Sequence, residues 1–233
     1  MRQFIFDEFD IILCSATIHA YLKEAKWSRK VVRRRAQQRS DELRAAFRGR
    51  STMWSAHQLV FLDETASNER TGDRKFGWSP IGKESEVFST LKRSERWSIL
   101  PALDVDGYFA CHIFQGSINK ERFIDFLSEV LKHCEPYPGK RSIIIMDNAS
   151  IHHDDAVLRL CDDAGVLVEY LPPYSPDMNP IEHTFHDLKA WIRRHHMDMA
   201  MFSAFDDFLW MAVSYNCERN MRNHFRHCGY IVE

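Results

Sequence analysis

The sequence predicts an α/β protein, a mixed β-sheet flanked by helices, and three observations carry that expectation. Asp106-Gly107 sits between two apolar runs, 97–105 and 108–114, and such a dipeptide between strand-like runs signals a tight hairpin. The run 142–146, Ser-Ile-Ile-Ile-Met, shows no polar alternation, as expected of a strand covered on both faces. From there to residue 216, helix-like and strand-like stretches alternate, the order of helices packed on a sheet.

Residues 10–26 place Ile18, Tyr21, Leu22 and Ala25 on one helical face, with Ser15 as N-cap and Trp27 at the exit. This predicts the recognition-helix end of a partial helix-turn-helix over residues 1–27. Residues 28–56 read as a basic helical linker, its helix spanning 33–48, and residues 57–233 as the large domain. Within that domain 58–63 is the first strand and 76–79 a candidate second, ahead of the hairpin. Phe123, Phe126, Leu127, Val130 and Leu131 share one face of a helix over 119–133. A helix over 154–164 stops at Gly165, a strand over 166–171 follows, and helices over 181–195 and 202–216 come last. An antiparallel meander followed by alternating strand and helix is the order of a ribonuclease H-like fold.

Composition narrows the class. With 233 residues, 45% apolar and 27% charged, the chain can bury a sizeable core like an ordinary globular protein. No apolar run approaches a transmembrane helix, and the start carries acids without a small-residue cleavage site, which argues against a signal peptide. The six cysteines form no CxxC pair and read as reduced thiols of an intracellular protein. A net charge of -2 hides an asymmetry: residues 23–50 hold eleven Lys and Arg against Glu24, Asp41 and Glu42, a balance of +8. A basic segment beside an acidic body suggests contact with a phosphate backbone, although a solvated helical face would look the same. The candidate DNA contacts are Thr17 and His19 in the first turn of the helix, then Lys23, Lys26, Arg29, Lys30, Arg33, Arg34 and Arg35, with Lys189 later in the chain.

Three acids stand in distinctive contexts. Asp63 ends the apolar run Leu59-Val60-Phe61-Leu62, and Asp147 ends the Ile-rich run. Glu182 opens an amphipathic helix after Pro-Pro-Tyr-Ser-Pro-Asp-Met-Asn-Pro. A carboxylate ending a buried strand is costly unless it is paired or holds metal, and strand ends are where open α/β sheets place ligands. Each acid also has a plainer reading. Asp63 could cap a turn, and Glu64 competes with it, although strand alternation lets only one of the two face a given side. Glu182 could be the reciprocal partner of a capping box with Asn179 as N-cap and Pro180 at N1. Asn148 is a candidate to orient Asp147 or contact phosphate, Asp177 is a weaker site candidate, and His152 and His153 read as helix-entry surface residues. His183 and His186, like Cys217, His224, His227 and Cys228, lack the paired spacing of a structural zinc site.

These acids carry a resemblance. Met-Asp-Asn-Ala-Ser-Ile-His-His (146–153) is similar to the second-aspartate motif of the DDE transposases, and Leu-Pro-Pro-Tyr-Ser-Pro-Asp-Met-Asn-Pro-Ile-Glu-His (171–183) to their glutamate motif. Residues 70–82 resemble the segment that follows the first aspartate. The nearest likeness is to the mariner-like superfamily and related bacterial insertion-sequence enzymes, over about residues 10–194. The resemblance implies a ribonuclease H-like nuclease in which Asp63, Asp147 and Glu182 are catalytic and hold two Mg²⁺ ions, Mn²⁺ substituting. It implies double-stranded DNA as transposon end and target, a homodimer, no membrane, and work in a eukaryotic nucleus or a bacterial nucleoid. The family's full DNA-binding module has two helix-turn-helix units, so the chain reads as amino-terminally truncated. The competing readings are a catalytically silent DNA-binding relic, a different ribonuclease H-like nuclease acting on RNA–DNA hybrids or structured DNA, and an oligomerising scaffold.

Overall fold

Residues 1–30, 39–73, 77–86 and 95–232 are described in a computed structural model of the chain. It forms two compact units, residues 1–37 and 38–233.

In the first unit, α1 (Arg2–Phe9) and α2 (Ser15–Glu24) are short helices. The N-cap of α2 is Cys14, one residue before the expected Ser15: its sulfur accepts the Thr17 N–H at 3.4 Å and contacts the Thr17 hydroxyl. Of the expected apolar face only Ile18 is buried, with Leu22 half-buried, while Tyr21 and Ala25 are exposed. Two helices offer too little surface to cover a four-residue stripe.

The second unit is built on one sheet. Its strands are β1 (Leu59–Leu62), β2 (Thr65–Ser67), β3 (Trp97–Leu103), β4 (Tyr108–Gln115), β5 (Ile143–Met146) and β6 (Leu167–Tyr170), in the order β2-β3-β1-β5-β6 with β4 also on β3. β1 and β2 both pair antiparallel with β3, and β1–β5 and β5–β6 are parallel, so the sheet is mixed as expected. The hairpin turn falls at Asp106-Gly107: Asp104 Oδ1 accepts the Asp106 and Gly107 N–H groups, and Gly107 has φ 148°, open to glycine without strain. The expected strand at 76–79 is corrected: residues 77–79 carry no regular structure, Phe76 lies outside the described residues, and β2 takes the place instead. β1 and β2 are one line of chain, since Leu62 pairs with Ala102 and Thr65 with Ile99 in unbroken register across Asp63 and Glu64.

Helices cover both faces. α4 (Lys120–Leu131) and α5 (Asp155–Asp163) bury Phe123, Phe126, Leu127, Val130 and Val157 against Val60, Leu62, Ile144 and Met146. On the other face α3 (Asp41–Ser51), α6 (Pro180–Arg194) and α8 (Met221–His227) pack Phe47, Ile181, Phe185 and Phe225 against Leu59, Phe61, Ile143 and Ile145. α7 (Phe205–Asn216) packs on α6 and β4 through Phe208, Leu209 and Ala212. α3 therefore travels with the sheet. Its Ser40 hydroxyl caps the helix by accepting the Leu43 N–H. Among the described residues no helix is long and apolar enough to cross a membrane.

Candidate active site

Strand parity builds the site. On β1, Leu59 and Phe61 point to the α6 side, so residue 63, two further on, points the same way. On β5, Ile143 and Ile145 do likewise, which sends Asp147 to that side as well. The parallel register pairs Phe61 with Ile145, so continuing both strands by two residues brings Asp63 abreast of Asp147 on strands that run about 4.8 Å apart. Glu182 lies in the first turn of α6, above them. The three line one cleft of about 430 Å³, with Asn148, Asn179 and the proline-rich loop 171–176 completing its wall.

The alternation also separates Glu64 from Asp63. Glu64 accepts from Arg96 at 3.0 Å and from the Ser98 hydroxyl at 3.2 Å, away from the cleft. Asp63 is held at both oxygens: the Glu64 N–H donates to Oδ1 at 2.7 Å and Asn179 Nδ2 to Oδ2 at 2.9 Å. Burial, opposed by the Glu64 N–H and reinforced by the charges on Glu182 and Asp147, pushes its carboxyl up to about 7. Asp147 is half-exposed. His152 Nδ1 lies 2.9 Å from its Oδ1, which also takes the Ala149 N–H, and the bond from His152 holds this carboxyl below its ordinary range. Glu182 is exposed to the cleft, and α6 has no side-chain cap bond, so the capping-box reading of Asn179 and Glu182 is corrected. Pro180 fills the first turn, and the Asn179 amide is spent on Asp63 instead.

The donor set suits a hard divalent cation: three carboxylates and no sulfur, one of them raised by burial and further by the charges of the other two. Among the described residues, no group of three or more His, Cys, Asp or Glu is already arranged to hold a metal ion. Carboxylates facing one another without a cation repel.

Other expected residues take different places. His152 is not a surface residue: it is 6% exposed, with its ring 4.7 Å from that of Phe123, and it was missed because a histidine six residues past a strand gives no local sign of burial. His153 is exposed and stacks on Tyr170. Asn148 donates to the Leu171 carbonyl at 2.6 Å, tying the proline loop to β5 rather than orienting Asp147. Asp177 is bound by Arg44, at 3.0 and 2.6 Å, which holds its carboxyl low. His183 packs against His224 and His227, and His224 bonds Asp187; burial pushes the neighbouring Cys228 thiol up to about 12, far from a thiolate ligand. His19, Lys23, Lys26, Arg29 and Lys30 are exposed in the first unit, while Thr17 is half-buried. Arg33, Arg34 and Arg35 lie outside the described residues. Lys189 is half-buried on α6.

Comparison with known proteins adds three findings. The family model of DDE superfamily endonucleases matches residues 58–201, and that of a winged helix-turn-helix matches residues 1–51. The second match ends inside α3, which packs on the sheet. A search of curated protein sequences finds no match. Among solved structures, the chain is similar to the Mos1 transposase paired-end complex with left transposon end (18% identity, TM-score 0.59, covering 99% of this chain and 78% of that one). It is likewise similar to the Mos1 mariner paired end complex with Mn (17%, TM-score 0.65, 97% and 73%) and to that with Mg (16%, TM-score 0.60, 97% and 73%). At these identities the likeness establishes the shared fold.

Proposed function

This chain belongs to the DDE superfamily of endonucleases, and we propose that it is the DNA-cutting and strand-joining enzyme of a cut-and-paste transposon, of the mariner-like kind. One observation carries the reading: Asp63, Asp147 and Glu182, from three separate elements, line a single cleft on one side of the sheet. Each acid keeps a carboxylate directed there while the alternative partner for that position, Glu64, is turned away.

Asp63, Asp147 and Glu182 would hold Mg²⁺, with Mn²⁺ able to substitute and two ions the expected number. Bound there, the ions supply Lewis acidity toward phosphate oxygens and water. The chain's own residues set the stage for that chemistry. The Glu64 and Asn179 N–H groups orient Asp63, His152 and Ala149 orient Asp147, and the loop fastened by Asn148 fixes the entry of the helix carrying Glu182. The scissile phosphodiester would enter the cleft from its open side, where Asp147 and Glu182 are exposed. Sequence choice would come from the first unit, since phosphate contacts position a duplex and base contacts specify it. The Mos1 complexes named above are paired-end, with a transposon end, and with Mn or Mg. By analogy the partners proposed here are double-stranded transposon-end and target DNA and a second copy of the chain. Its place of work would be a nucleus, or the nucleoid if the host is bacterial.

A plasmid-nicking assay tests this. Supercoiled DNA with Mg²⁺ or Mn²⁺ is expected to become nicked by the wild type, and Asp147→Ala is expected to reduce that to background. A folded wild type that binds DNA and never nicks it would sink the reading and leave a silent DNA-binding protein.

A further inference from the structure

Asn179 occupies the N-cap position of α6, where an asparagine side chain ordinarily accepts one of the helix's free N–H groups. Here it makes no such bond. Its Nδ2 donates instead to Asp63 Oδ2 at 2.9 Å, 116 positions away in sequence. The residue is 3% exposed, and its Oδ1 is buried without a partner. The side chain thus forgoes a cap and leaves an acceptor unpaired, both unfavourable, in exchange for one bond to one carboxylate.

We propose that Asn179 is the positioning residue that sets the Asp63 carboxylate for metal and ties it to the helix carrying Glu182. This rests on the reading that Asp63, Asp147 and Glu182 hold a divalent cation. Three features of the geometry support it. The Glu64 N–H takes one lone pair on Oδ1 and Asn179 takes one on Oδ2, which leaves each oxygen a lone pair for a cation and prevents the carboxylate from rotating. Glu182 follows Asn179 by three residues in the same helical turn, so a single carboxamide fixes the end of β1 against the start of α6. Asn179 is itself held from beneath: the Tyr230 hydroxyl donates to the Met178 carbonyl at 2.9 Å, and Arg44 grips Asp177. A carboxamide suits this task because it donates to a carboxylate without bringing a charge that would compete with the metal.

The substitution Asn179→Ser separates this role from a merely structural one. Serine caps a helix about as well as asparagine does, so α6 can gain a side-chain cap, while the shorter side chain cannot span to Asp63. Calorimetric titration of the 233-residue chain with Mn²⁺, beside thermal melts in a chelator, is the measurement. The expected result is undiminished thermal stability with Mn²⁺ binding weakened about 10–100-fold, the range for loss of a partner that orients a metal ligand. Should Asn179→Ser fail to fold, Asn179→Leu keeps the branched shape without the donor and is expected to show the same loss. Binding of Mn²⁺ by a folded variant indistinguishable from wild type overturns the proposal. If Asp147→Ala weakens binding in the same experiment, only the role of Asn179 falls. If the wild type binds no Mn²⁺, the metal reading itself falls and this inference with it.

Discussion

Asp63 would rather be protonated than charged in the ion-free protein, because it is buried and faces Glu182 and Asp147, with its carboxyl at about 7. Its protonated form favours the fold. That contribution is complete below the unfolded carboxyl's range near pH 4 and is lost as pH rises through about 7. Above pH 7 the charge costs on the order of a few kcal/mol, which a bound cation would remove. Asp63→Asn should therefore raise the melting temperature in a chelator at pH 8 and flatten its dependence between pH 5 and 8; equal melting curves for variant and wild type would disprove this. Asp147 has the opposite setting. A bond from His152 keeps it charged, and only a protonated Nδ1 can donate to a carboxylate. His152→Phe retains a ring against Phe123 but no donor, so it should fold and yet require about ten times more Mg²⁺ for half-maximal nicking. An unchanged Mg²⁺ requirement would show His152 to be packing alone.

At the scale of elements, α3 is the revealing case. Its run of charges reads as linker, yet Arg44 is 4% exposed and grips Asp177 in the loop before Glu182. Nothing near residue 44 announces this, because the partner is 133 positions away. The two ends of the pair are unequal. Asp177 is half-exposed and can be rehydrated if left alone, whereas an orphaned Arg44 remains buried. Asp177→Ala should thus cost about 3 kcal/mol and Arg44→Met far less; denaturant midpoints decide, and the reverse order would refute the account. The same contrast explains which elements were legible. β1, β5 and the hairpin announce themselves through local patterns, and parity along the two strands already places Asp63 and Asp147 on one side. β2 does not, since Thr-Ala-Ser becomes a strand only by pairing with Ile99, Ser98 and Trp97. α1 and α8 are eight and seven residues long, too short for periodicity to stand out. Asn179 looked like an ordinary cap because its partner lies across the fold.

For the whole molecule, the consequence is that the exposed basic residues and the carboxylate cleft belong to different units. Arg44 and Arg50, two of the eleven basic residues in 23–50, are bound to Asp177 and Glu169 in the sheet-bearing unit. The exposed Lys23, Lys26, Arg29 and Lys30 belong to the other unit, and the carboxylate cleft belongs wholly to the sheet. Affinity for duplex should depend on the first set through counterion release, and affinity for metal on the second. Replacing those four with glutamine should lower the slope of log affinity against log salt by up to about 4, since each lost phosphate contact removes about 0.9. The same variant should bind Mn²⁺ as the wild type does. Asp147→Ala should do the converse: lose Mn²⁺ while holding duplex, measured in a chelator, at least as tightly, because without metal the substitution only removes a negative charge beside the path of a phosphate backbone. The two titrations together test the division. A glutamine variant with an unaltered salt slope would move DNA binding out of the first unit, and an Asp147→Ala protein that releases duplex in a chelator would mean that the cleft, not the basic residues of the first unit, carries the grip.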